Sequence, residues 1–133
     1  MKWWDAVDLI SSSGYYPIGD WEAQLDRIEQ RLLPMANPFS SRKQVVPAAM
    51  GSARGSNDWG QEGEVSAEEQ QRFYGAMFGH VSQREWVRGF GLWDWSAHLH
   101  DEKDALTDDG YGVYGKPAEQ VICRFYESVA VEV

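Results

Sequence analysis

Two tryptophans flank a carboxylate at residues 93–95 (Trp93, Asp94, Trp95). On an extended chain alternate residues share a face, so both indoles point one way and Asp94 the other. An indole face can stack on a sugar ring, and it can equally pack between structural layers. A second chemistry-bearing stretch is VVPAAMGSARGSN, residues 45–57, which runs from β-branched residues into a glycine-rich polar loop. Active-site loops of βα-built enzymes leave the C-terminal ends of strands in this way. Arg54, Asn57 and Trp59 lie in the loop, but where a catalytic carboxylate would stand the chain has Ala48, Ala49 and Met50. Glu62 and Glu64 follow in the same loop, where solvation is the ordinary role of a glutamate.

The stretch HLHDEKDALTDD offers His98, His100, Asp101, Asp104, Asp108 and Asp109. H-x-H beside carboxylates can hold a divalent cation. The alternating ligands, glycine and terminal glutamate of a calcium loop are missing, and a solvated acidic loop is the expected reading. No metal and no cofactor are expected. Cys123 is the sole cysteine, so an intrachain disulfide and a zinc–thiolate cluster are both excluded. It falls on the apolar stripe of the last helical segment and reads as core.

These residues need elements to hold them, and the chain repeats one pattern three times: apolar extended run, polar loop, amphipathic helix. The first run is Val7 to Ile10, ending at Ser11–Ser13. Asp20 then caps a helix with Trp21, Leu25, Ile28 and Leu32 on one stripe, closed by Pro34 and Pro38. The second strand is expected over Lys43 to Met50. Ser66 and Glu69 make a capping box for the next helix, whose buried side is read as Phe73, Ala76, Met77 and His80. The third run spans 85–95. Pro117 opens the last helix, with Ala118, Val121, Ile122, Phe125 and Val129 as its apolar stripe.

Strands about 40 residues apart, each followed by a helix, predict an α/β fold with parallel pairing. Three parallel strands leave two open edges and one uncovered face, whereas parallel sheets are ordinarily buried on both. Residues 1–133 therefore read as one segment of a larger fold. A formal charge of −9 argues against nucleic acid and an anionic membrane surface as partners. The opening MKWWDAVDLI lacks the apolar core of a signal peptide, and a cytoplasmic location is expected. Aromatic residues make up 14% of the chain, enough to furnish a binding surface as well as a core.

The segments WWDAVDLISSSGYYPIGDWEAQLDRI, KQVVPAAMGSARGSNDW, EEQQRFYGAMF, EWVRGFGLWDW and DGYGVYGKPAEQVI resemble, in that order, the last three βα units of glycoside hydrolase family 113. The resemblance implies a partial (β/α)8 TIM barrel, with strands six to eight beginning near Val7, Val45 and Trp86. It also implies a β-mannanase-like ancestry and cleavage of β-linked polysaccharide with retention, which needs two carboxyl groups about 5–5.5 Å apart. On that alignment the acid/base, after strand four, would lie upstream of Met1, and Ala49 occupies the nucleophile position. Tyr15 falls where relatives place a tyrosine that hydrogen-bonds the nucleophile. Arg54, Asn57 and Trp59 match the substrate-contacting loop, and Trp93 or Trp95 the floor of the sugar site. The expectation is a chain inactive alone. It would bind β-linked oligosaccharide through these side chains, or be completed by self-association or by a complementing chain.

Overall fold

A computed structural model describes residues 10–13, 16–32, 39–44, 63–93, 95 and 97–130. Three strands, β1 (Ile10–Ser13), β2 (Phe39–Gln44) and β3 (Val87–Trp93), alternate with three helices, α1 (Trp21–Leu32), α2 (Ala67–Val81) and α3 (Pro117–Ala130). A short 3-10 helix, Glu102–Thr107, lies between β3 and α3. The strands pair in parallel in the order β1-β2-β3, as the α/β pattern predicts. Among the described residues the sheet is open, with no closed barrel.

β2 corrects the expected boundary. Pairing starts at Phe39, which faces both Ile10 and Val87, and runs through Ser40, Ser41, Arg42 and Lys43. The ladder is made by backbone groups, so a polar run serves as well as an apolar one. Val45 to Met50 lie outside the described residues, as do Val7 to Leu9. A register shift opposite Phe39 and Ser40 admits one extra residue on β3. β3 stops at Trp93, so the alternation argued for Trp93 and Trp95 does not extend to Trp95.

α1 follows its predicted stripe: Trp21 and Leu25 are buried and Ile28 is half-buried. The Asp20 carbonyl accepts the first helical bond, from Gln24 N–H at 3.0 Å. α2 begins as predicted, with Ser66 Oγ accepting the Glu69 N–H at 3.3 Å. Its buried arc is wider than expected and displaced from the predicted one. Phe73 and Met77 are buried, but so are Gln70, Tyr74, Phe78 and Val81, while Ala76 and His80 are only half-buried. The reason is its central position. Phe73 meets Trp21 of α1 edge-on at 6.1 Å, while Phe78 meets both Phe90 of β3 and Phe125 of α3.

On α3 Ala118 is buried, and Val121, Ile122 and Phe125 pack against the core. Val129 is exposed, because the apolar stripe outruns its neighbours by one turn. Cys123 is exposed as well, which corrects its assignment to the core. It sits between Ile122 and Arg124, beside the stripe of Val121, Ile122 and Phe125 that packs against the core. Arg84, in the turn before β3, reaches back to Asp26 and Glu29 of α1. That bridge ties the first βα unit to the third.

Candidate functional site

Parallel strands bring their C-terminal ends to one edge of the sheet, so the segments following β1, β2 and β3 all leave from there. Every residue singled out for binding lies in or next to those segments. Tyr15, Ala49, Arg54, Asn57, Trp59, Asp94 and Glu62 lie outside the described residues. Trp93 ends β3 with its side chain outside the description. Glu64 is exposed. Trp95 is fully described.

Trp95 is 60% exposed, an unusual setting for an indole. It is buttressed. The Tyr114 ring meets it edge-on, with centroids 5.9 Å apart and planes at 77°. His100 supports Tyr114 in turn, its ring 5.7 Å away and its Nε2–H donating to the Tyr114 carbonyl at 3.1 Å. Behind the indole lies a mainly apolar cavity of about 160 Å³, lined by Tyr74, Leu92, Val113 and Ile122, with Glu119 and Cys123 at its wall. Sequence reading singled out Trp95 but missed Tyr114, since nothing local distinguishes a tyrosine in a glycine-rich loop from a turn residue.

The loop carrying Tyr114 is pinned from several directions. Lys116, only 2% exposed, donates through Nζ to the Gly110 carbonyl at 2.8 Å and pairs with Asp108 Oδ2 at 2.7 Å. Gln70 Nε2 of α2 donates to the Tyr111 carbonyl at 3.2 Å. Gly115 has φ +69, and its N–H donates to Glu119 Oε2 at 2.8 Å. Burial raises the pKa of Asp108, but the hydrogen bond and charge of Lys116, with the Gly110 N–H and His100, hold it below its usual value. Asp108 is thus a structural anion rather than a solvated one. The sequence hint was a lysine eight residues along from an acidic pair, at the mouth of a helix.

Among the described residues no three His, Cys, Asp or Glu side chains gather as a metal ion would need. The histidine–aspartate run is divided among other tasks: Asp101 pairs with Lys103, Asp108 with Lys116, and His100 with Tyr114. No helix among the described residues is long and apolar enough to cross a membrane.

An exposed tryptophan held by a second aromatic ring, next to a strand end of a βα sheet, presents an indole face on which a sugar ring can stack. The sequence profile of Glycoside Hydrolase Family 113 matches residues 1–116. The chain belongs to that family. A solved family 113 β-1,4-mannanase is 50% identical and superposes with a TM-score of 0.90, covering 96% of this chain and 41% of that one. A complex structure of a family 113 β-1,4-mannanase gives the same figures. The family 113 β-mannanase AaManA from Alicyclobacillus acidocaldarius, in complex with ManMIm, is 35% identical with a TM-score of 0.88, again covering 96% and 41%. A β-glucuronidase of Bifidobacterium dentium, complexed with coumarin-3-O-glucuronide, shares the fold alone, at 16% identity and a TM-score of 0.58. No curated protein matches the sequence. The chain thus spans 41% of the length of the family 113 mannanases it superposes on. The Trp95 ledge and its supporting loop lie between β3 and α3.

Proposed function

We propose that this chain is the portion of a β-mannanase-type (β/α)8 barrel comprising strands six to eight, and that it binds β-linked manno-oligosaccharide without hydrolysing it unaided. The observation that carries the reading is the 50% identity to a β-1,4-mannanase over 96% of the chain. The exposed Trp95, backed by Tyr114, supports a stacking contact with a pyranose ring. Tyr15, Arg54, Asn57, Trp59 and Trp93 are proposed as further substrate contacts on the strength of the family resemblance. Ala49 is the reason for the missing activity. At the proposed nucleophile position a methyl group can neither attack the anomeric carbon nor stabilise an oxocarbenium-like transition state.

A second reading, completion by another chain, is favoured by a groove of about 360 Å³ beside β3, an edge strand among the described residues. Val87, Phe90, Phe125, Tyr126 and Val129 line it, with Tyr126 and Val129 exposed. A parallel strand and its helix would cover both the edge and these side chains.

One experiment tests both readings. The chain and its Ala49→Glu variant are each co-expressed with the N-terminal three-fifths of a family 113 β-1,4-mannanase, and mannohexaose hydrolysis is followed. Activity only with Ala49→Glu is the expected result. Hydrolysis by the unmodified chain alone would overturn the proposal, and Glu62 and Glu64 would become the first candidates for the nucleophile.

A further inference from the structure

Lys116 is the most deeply buried charged side chain among the described residues, yet it touches neither the cavity nor Trp95. A buried ammonium is costly unless paired, so its retention needs a role. Its contacts supply one. Through Nζ it closes residues 108–116 into a ring, gripping Gly110 by its carbonyl and Asp108 by its carboxylate. Its own N–H donates to the Val113 carbonyl at 3.0 Å, one residue from Tyr114. Lys116 thus binds the loop at Asp108, Gly110 and Val113, while His100 holds Tyr114 from the other side. Tyr114 is the ring against which Trp95 rests. Without the lysine head the loop loses its fastening at Gly110 and Asp108, and the tyrosine loses that part of its support beneath the indole.

We propose that Lys116 is a positioning residue for the Trp95–Tyr114 ledge, so that an ammonium which never meets the sugar sets how well the ledge holds it. The sugar part of this inference rests on the binding reading above; the positioning part does not.

The test uses the 133-residue chain labelled with 5-fluorotryptophan. Trp95→Phe assigns the Trp95 fluorine line, and Tyr114→Ala sets its displacement when the supporting ring is gone. Lys116→Met is expected to move the Trp95 line in the direction set by Tyr114→Ala. The line of Trp21, buried in the core between α1 and α2, should stay in place. Mannohexaose binding should weaken about three- to tenfold, the size of one aromatic contact. An unmoved Trp95 line in folded Lys116→Met overturns the proposal. If Lys116→Met also moves the Trp21 line, Asp108→Ala decides, because it keeps the lysine stem in place. A Trp95 shift there supports positioning and a still line overturns it. A shift in Trp95 together with an unmodified chain that does not bind mannohexaose keeps the positioning role and overturns the sugar reading.

Discussion

Phe78 of α2 and Phe125 of α3 stack face to face, with centroids 4.1 Å apart and planes inclined by 14°. Phe90 of β3 meets both rings edge-on, at 5.7 and 6.4 Å. This triad joins two helices to the edge strand. Phe125→Ala is expected to cost about 2–4 kcal/mol, at or below the usual range for a buried phenylalanine because the ring is half-buried. Urea unfolding measures it, and a loss under about 1 kcal/mol would mean that the stack is not a principal contact.

The bridge from Arg84 to Asp26 and Glu29 is a surface one, with half of the Asp26 side chain exposed. The hydrogen bond that Arg84 donates to Asp26 chiefly holds the guanidinium above its ordinary pKa. Arg84→Met should cost about 1 kcal/mol or less at low salt. In 1 M salt the difference should shrink, since the Debye length falls to about 3 Å. A salt-independent loss would point to packing of the arginine stem instead.

Acid should loosen the loop under Trp95. The folded pKa of Asp108 lies below its ordinary value, so the unfolded chain binds more protons than the folded one as the pH falls. Its contribution is fully present above the unfolded value and is lost as the pH drops through the folded one. Thermal melts of the chain and of Asp108→Asn are expected to differ at neutral pH and to converge in acid, as the pH falls through the lowered folded pKa of Asp108. Parallel curves across the whole range would show that the Lys116 pair adds nothing.

Gly115 has no room for a side chain. Its φ is +69, and a Cβ would stand 2.9 Å from the Ala105 Cβ, itself fully buried in the 3-10 helix. Gly115→Ala is expected to destabilise by about 1–3 kcal/mol through backbone strain and this clash together. Calorimetric melting reads the loss.

Cys123 should behave as a surface thiol. Ellman's reagent is expected to react with the native chain at a rate comparable with that of the urea-unfolded chain, and Cys123→Ser should leave the melting temperature unchanged. Protection in the native state would mean that something covers this part of α3.

Much of the architecture is legible in the sequence because helical stripes and capping residues are local signals. Asp20, Ser66 and Pro117 stand where three helices start. The α2 interior is not local: Phe78 is buried against Phe90 of β3 and Phe125 of α3, partners that no window around α2 contains. Cys123 failed for the complementary reason: an apolar neighbourhood in sequence does not guarantee burial, and the residue ends exposed at the wall of the cavity rather than inside the core. β2 begins six residues before its β-branched pair, because backbone pairing is indifferent to the serines that carry it. At the site, Trp95 announces itself by type, whereas Lys116 reads as one more surface charge until Gly110 and Asp108 are seen to close around it.

The order β1-β2-β3 places the strands in space as they come along the chain. A sheet of this kind can be lengthened at either margin without threading a new strand between existing neighbours. On the barrel reading proposed above, the three βα units would form a cassette in the sense used for gene recombination, exchangeable as a block among barrels of matching curvature. Only the two seams would need to be made compatible, one beside β1 and the other along β3 and the outer face of α3.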